Sequence, residues 1–222
     1  MKVVMVFCAL LLLAGCANDS DIMDAFFGAD SDSRTVIAQC QKEYGLEQAH
    51  CLRSHAVGEQ GVIDYCDAIT VPETYNLDGG EAEAKQIMSV KNDCYLEFAK
   101  SQDKPYVCTN LIKDPLASAK CIFSVAQTNN NILACAEIND LTTPRDENNH
   151  VMGRKECALQ VRDSMIDFGC TQEEGAALRT CAVSSALIAH DPQKCDKYLK
   201  SELDIADCHD RIAAYRDASW LP

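Results

Sequence analysis

The sequence predicts an all-α protein, an array or bundle of about six antiparallel helical hairpins, each closed by a disulfide. Three observations lead to this prediction. Twelve cysteines follow residue 35, and they recur at nearly constant spacing. Between them, apolar residues return every three or four positions, as on one face of a helix. Aromatic residues make up only 6% of the chain, and the alternation of apolar and polar residues that is typical of strands is rare.

The first fifteen residues have the pattern of a secretory signal peptide. Lys2 precedes the apolar run Val3–Ala14, which is shorter than the roughly 20 residues of a membrane-spanning helix. The run ends in Leu13-Ala14-Gly15-Cys16, which resembles the lipobox of bacterial lipoproteins. The resemblance implies cleavage before Cys16, attachment of a diacylglycerol to its thiol, and acylation of the new amino group by a fatty acid such as palmitate. The alternative is an ordinary cleavage site beside a buried cysteine.

The residue after the lipobox cysteine bears on which membrane holds the protein. In Gram-negative lipoproteins an aspartate at that position resembles an inner-membrane retention signal, whereas this chain has Ala17. The resemblance therefore favours the outer membrane, with the protein facing the periplasm. In a Gram-positive cell the same motif implies the outer face of the only membrane.

Residues 16–34 are predicted to form a lipidated, flexible acidic tether. The stretch is polar and acidic apart from Phe26-Phe27, a pair that alternatively docks on the folded domain. The whole chain carries a formal net charge of −14. Such an acidic protein is not expected to bind nucleic acid or anionic headgroups by charge attraction. The predicted contact with the membrane is therefore the lipid.

Residues 35–222 are predicted to form the Cys-paired helical repeat domain. Taken as consecutive pairs, the cysteines are 11, 28, 13, 22, 11 and 13 residues apart, and the steps joining the pairs are 15, 14, 14, 13 and 14. This pattern indicates six units, of which the second and fourth carry insertions. Five units have an alanine five residues after their second cysteine, and the exception is Arg162. These alanines are Ala56, Ala99, Ala126, Ala186 and Ala213.

The third unit shows why a hairpin is expected. Asp114-Pro115 fits the N-cap and first turn of a second helix. Cys108 lies six residues before Asp114 and Cys121 seven after it, so both reach the same height in an antiparallel pair. Ser201 fits the same role in the sixth unit. The predicted disulfides are Cys40-Cys51, Cys66-Cys94, Cys108-Cys121, Cys135-Cys157, Cys170-Cys181 and Cys195-Cys208.

A second pairing joins each second cysteine to the first of the next unit. Cys121 and Cys135 straddle Thr128–Asn131 nearly symmetrically, so geometry alone leaves this pairing open. This pairing leaves Cys40 and Cys208 without a neighbouring partner, so these two must pair with each other and link the two ends of the array. Pairing within units leaves no cysteine over and is the preferred prediction.

No catalytic residue, metal ligand or cofactor is predicted. The closest of the twelve cysteines are eleven residues apart, whereas zinc sites and thioredoxin-like sites use much closer pairs. His50, Cys51 and His55 form a metal set only if Cys51 is a free thiol. GxSxG, HExxH, P-loop, GxGxxG and DxDxDG patterns are absent from the sequence.

The two insertions, Thr70–Lys85 and Leu141–His150, are predicted to form hairpin tips at the same end of the array and to bind a partner. The alternative is that both are surface loops without a binding role. The predicted partner-binding residues are Glu73, Tyr75, Asp78, Arg145, Asp146 and Glu147. Trp220 is expected to cover the core of the last hairpin. The predicted function is a membrane-anchored, periplasm-facing helical scaffold or binding module for another envelope component, and the predicted partner is an envelope protein. The alternative is a periplasmic hydrolase or envelope-modifying enzyme.

Overall fold

The computed structural model describes residues 31–57, 62–73, 80–139, 144–165, 170 and 173–222. Over these residues the chain is helical, and the β pairing there is one isolated bridge between Arg145 and Val151. The predicted all-α class is confirmed. The helices are α1 Ser31–Cys40, α2 Gly45–Ala56, α3 Asp64–Asp67, α4 Glu81–Gln102, α5 Tyr106–Leu111, α6 Pro115–Thr128, the 3₁₀ helix Ile132–Glu137, α7 Arg154–Met165, α8 Gly175–Ala189, α9 Gln193–Tyr198 and α10 Glu202–Tyr215.

Six disulfides close the six predicted units, each within its own unit. Their Cα–Cα distances run from 5.6 to 6.0 Å, the usual separation for a disulfide. The pairs are Cys40–Cys51, Cys66–Cys94, Cys108–Cys121, Cys135–Cys157, Cys170–Cys181 and Cys195–Cys208. The predicted pairing is therefore the one in the structure, and the pairing between neighbouring units is not.

The third and sixth hairpins share one register. In both, the first cysteine is the third residue of a six-residue helix, and the second is the seventh residue of a 14-residue helix. Asp114 Oδ1 accepts from the backbone N–H of Ala117 at 2.7 Å, and Ser201 Oγ accepts from that of Asp204 at 3.5 Å. Both predicted N-caps are confirmed. Each cap begins the second helix six residues after the first cysteine and seven before the second, so the two cysteines lie side by side in the hairpin.

The arms of the hairpins differ in length. In each hairpin whose two arms are both described, the second arm is the longer, and α4 reaches 22 residues. The first arm of the second hairpin, α3, has only four residues. It is held against α4 by Lys91 Nζ, which donates to the carbonyls of Asp67 and Ile69 at 3.2 and 2.8 Å, and by Tyr95 Oη, which donates to Asp67 Oδ1 at 2.6 Å.

A common helix ending accounts for the three 14-residue steps between units. Asp103, Asn130 and His190 adopt the left-handed conformation, with φ of 47°, 49° and 51°. Each lies nine residues after a second cysteine and five before the next first cysteine. The N–H of the following residue then bonds back to a helix carbonyl, at 2.9, 2.8 and 3.0 Å. This is the Schellman arrangement, which turns the chain sharply out of the helix.

The recurring alanine takes part in this helix ending. The carbonyls that close the three turns belong to Ala99, Ala126 and Ala186. These residues are almost fully buried, as is Ala56 in the first hairpin. A larger side chain at these positions would push neighbouring helices apart, because interiors are close-packed. Ala213, in the last hairpin, is exposed.

The structure corrects two predicted boundaries. The tether was expected to extend through Arg34, but α1 begins at Ser31 and Ser33 is only 2% exposed, so the folded domain starts earlier. The insertion Thr70–Lys85 was predicted to lie wholly in a hairpin tip, but α4 begins at Glu81, so its last residues extend that helix. The predicted signal peptide, Cys16 and Phe26-Phe27 lie outside the described residues. Trp220 is half-buried and packs edge-to-face on Tyr215 at 6.4 Å, as expected of a residue that covers the last hairpin.

Candidate functional site

The insertion of the fourth unit leads into a closed turn, Pro144–Met152, referred to below as the bridged turn. The two sides of the turn meet at the Arg145–Val151 bridge, and Met152 N donates to Pro144 O at 2.8 Å. Asp146 N donates to His150 O at 3.0 Å, one step further towards the tip. The backbone of the turn is thus held by its own hydrogen bonds.

The Asp146 carboxylate fixes the tip of the bridged turn. Its Oδ1 accepts from the backbone N–H groups of His150 and Asn148 at 2.8 and 2.9 Å, and His150 Nδ1 lies 3.3 Å from Oδ2. The His150 backbone bond, with a smaller contribution from Asn148, lowers the pKa of Asp146, because hydrogen bonds from N–H groups favour the charged form. Arg145 Nη1 donates to Asn149 O at 2.9 Å, and Asn149 adopts a φ of 64°.

The bridged turn brings together three of the predicted partner-binding residues and divides their roles. Asp146 is committed to the backbone of the turn. The Glu147 side chain is 82% exposed, with its carboxylate 4.0 Å from Lys120 Nζ on α6. Arg145 and His150 are also exposed. The turn therefore presents groups of both charge signs on a backbone that is already ordered.

The other predicted partner-binding residues belong to the insertion of the second unit, Thr70–Lys85. Glu73 is exposed. Within the described residues, no hydrogen bond or ion pair joins it to the bridged turn. Tyr75 and Asp78 lie outside the described part of the chain. The predicted proximity of the two insertions stays a prediction.

The possible metal set of the first hairpin, His50, Cys51 and His55, lacks a thiolate because Cys51 is in a disulfide. The Cys40 and Cys51 sulfurs lie close to a ring nitrogen of His55, but they form a disulfide. A disulfide sulfur is not the thiolate ligand that such a site needs. His55 instead stacks at a tilt against Tyr65, with the ring centres 6.2 Å apart.

A cleft of about 410 Å³ lies where the third to sixth hairpins meet, and it is called the central cleft below. Sequence reasoning missed it, because its residues are far apart in the chain and match no motif. Ionisable and hydroxyl-bearing side chains share it with apolar ones. The lining residues are Asp103, Pro105, Asn131, Leu133, Ala134, Glu137, Thr180, Val183, Arg211 and Tyr215.

A second groove, of about 580 Å³, lies on the last hairpin between α8 and α10. It contains Ala213, whereas the corresponding alanines of the earlier hairpins are buried. His190, His209 and Arg216 stand on its rim with Asp210 and Asp217.

Comparison with family models, with curated proteins and with solved structures finds no match for this chain. In the described part of the chain, none of the helices has the length and apolar character needed to cross a bilayer. Six disulfides indicate an oxidising environment outside the cytoplasm.

Proposed function

We propose that the protein is a lipid-anchored lipoprotein of the cell envelope, in which a disulfide-closed repeat of helical hairpins serves as a scaffold that binds another envelope protein. Acylation of Cys16 attaches the chain to the membrane. The favoured location is the outer membrane, with the protein facing the periplasm. The lipobox at Leu13–Cys16 supports the anchor. The disulfides support a location outside the cytoplasm.

The observation that carries the binding role is the self-contained order of the bridged turn. A loop that is ordered before binding loses little conformational entropy on contact, so its side chains contribute more of their interaction energy to affinity. The Asp146 bonds at 2.8 and 2.9 Å supply that order. Arg145 and Glu147 then project charges of opposite sign, which favours a partner with a complementary charge pattern.

The anchor is tested by labelling cells with a fatty-acid probe. The wild-type protein should incorporate the label, and Cys16→Ala should not, because the thiol and the acylated amino group both belong to that cysteine. Label in the Cys16→Ala protein at the wild-type level would contradict lipidation at Cys16.

The binding role is tested by crosslinking in cells, followed by mass spectrometry of the captured partner. The double variant Arg145→Ala/Glu147→Ala removes both exposed charges and leaves the bonds of Asp146 in place, so capture should fall by about tenfold or more. The matched control Lys42→Ala/Glu43→Ala removes the same two charge signs from the exposed turn after α1 and should capture normally. Equal capture by the two variants would place the partner surface elsewhere.

A further inference from the structure

The central cleft is built by four consecutive hairpins. Asp103 comes from the connector that leads into the third, Glu137 from the fourth, Thr180 from the fifth and Arg211 from the sixth. The groups also bond to one another across hairpins. The Asp103 carboxylate accepts from Asn131 Nδ2 at 2.9 and 3.1 Å and from Thr180 Oγ1 at 3.3 Å. Helix packing therefore sets the shape of the cleft.

The cleft holds negative charge that no cation of the described chain neutralises. Asp103 is bonded only to neutral groups, and Glu137 Oε2 accepts only from the Thr109 hydroxyl, at 3.4 Å. Within the described residues, no lysine or arginine pairs with either carboxylate. An ammonium group in the cleft would meet two acceptors that lack a cationic partner.

The cleft also offers donors for an anionic group. Arg211 pairs through Nε with Asp207 Oδ2 at 2.9 Å, and the remaining N–H groups of its guanidinium are not used in that contact. The Tyr215 hydroxyl makes no hydrogen bond within the described part of the chain. A carboxylate fits these donors, since arginine binds carboxylates in a two-point geometry.

The size and the apolar walls of the cleft restrict the ligand further. A volume of about 410 Å³ is typical of a small-molecule site. Leu133, Val183 and Pro105 supply apolar surface between the charged groups. An isolated anion would face two carboxylates, and an isolated cation would face the guanidinium, whereas a ligand with both charges meets a partner at each end.

We infer that the central cleft binds a small zwitterion, a free amino acid or short peptide with small aliphatic side chains. The ammonium group lies at Asp103 and Glu137, the carboxylate at Arg211 and Tyr215, and the aliphatic groups on the apolar wall. This site is separate from the bridged turn, so the partner proposal and this one are tested independently.

The test is an NMR titration of the disulfide-bonded domain with L-alanyl-L-alanine. Saturable shifts of the amide signals of Asn131, Leu133, Thr180 and Val183 are expected, with a dissociation constant below about 1 mM. N-acetylation of the dipeptide removes its positive charge, and C-terminal amidation removes its negative charge. Each change should weaken binding by about tenfold. No saturable shift up to about 20 mM dipeptide, or equal binding of the capped forms, would overturn the inference.

Two variants assign the binding to the cleft. Glu137→Gln and Arg211→Gln keep the shape of the side chains and remove one charge each, and each should weaken dipeptide binding by about tenfold. Arg216→Gln is the matched control, because Arg216 is an exposed arginine directly after the same helix and lines the other groove. Unchanged affinity in Arg211→Gln, or an equal loss in Arg216→Gln, would also overturn the inference.

Discussion

His190 ends α8 in the left-handed conformation, with φ of 51°. A residue with a Cβ atom is strained there by about 1 kcal/mol, whereas glycine adopts this conformation freely. We expect His190→Gly to raise the free energy of unfolding by about 0.5 kcal/mol, after the greater freedom of glycine in the unfolded chain is subtracted. Chemical denaturation of the disulfide-bonded protein measures it.

Ala189 provides the control for that substitution. It is the last residue of α8, in ordinary helical conformation, and like His190 it is exposed. Ala189→Gly should lower stability by about 0.5–1 kcal/mol. If both glycine substitutions destabilise equally, the left-handed ending at His190 is not strained as described.

The bridged turn should lose order in acid because of Asp146. Hydrogen bonds, first that from the His150 backbone, lower its pKa from the ordinary value of 3.8. A carboxyl whose pKa is lowered by folding stabilises the ordered form above its unfolded pKa, and this contribution is lost as the pH falls through the lowered value. The Asn148 and His150 amide signals should therefore shift with a midpoint below 3.8.

The same NMR titration on Asp146→Asn separates this effect from general acid unfolding. The variant has no carboxyl at that position, so the transition of the two amides should disappear while the helices stay folded. A midpoint at or above 3.8 in the wild-type protein would contradict the lowered pKa.

Sequence reasoning found the helix caps, which depend on side-chain chemistry, but not the left-handed helix ends, which depend on backbone conformation. Asp114 and Ser201 are recognisable as caps because aspartate and serine bond to N–H groups a few residues away. Asp103 and His190 carry no comparable signal, since glycine or asparagine is the usual residue at a left-handed helix end. Only the positive φ angles of these residues show that they end helices in the left-handed conformation.

At the scale of the helices, the recurring alanine supports a direct comparison between inner and terminal hairpins. Ala126 on α6 is fully buried, and Ala213 on α10 is exposed. Ala126→Leu should destabilise the protein by about 1–3 kcal/mol, because the added methyl groups have no space. Ala213→Leu should stay within about 0.5 kcal/mol of wild type. Thermal unfolding of the two variants checks this, and equal stability losses would contradict the difference in packing.

The position of the helices was largely predictable from cysteine spacing and caps, whereas their lengths were not. Each cap fixes a bend locally, but α4 extends back to Glu81, into a segment predicted to be a hairpin tip. Glu81–Lys85 consists of alanine, glutamate and lysine, which favour helix. Cysteine spacing places the insertion but does not show where in it the helix begins.

For the whole molecule, the central cleft is the feature that sequence reasoning could not reach. Thr180 and Asp103 are 77 residues apart in the chain and come within 3.3 Å. Their contact depends on how four hairpins stack, and no local pattern encodes it. The stack itself follows from six closed hairpins, each stabilised by about 3 kcal/mol from its disulfide in the chain-entropy description.

Peptide mapping of the exported protein without reduction tests the central claim that each hairpin is closed by its own disulfide. Proteolysis followed by mass spectrometry should give linked peptides for the six within-unit pairs, including Cys108–Cys121 and Cys195–Cys208, with no free thiol among the twelve cysteines. A dominant Cys121–Cys135 peptide, or a Cys40–Cys208 peptide, would show that disulfides join neighbouring units instead, and would contradict the hairpin array.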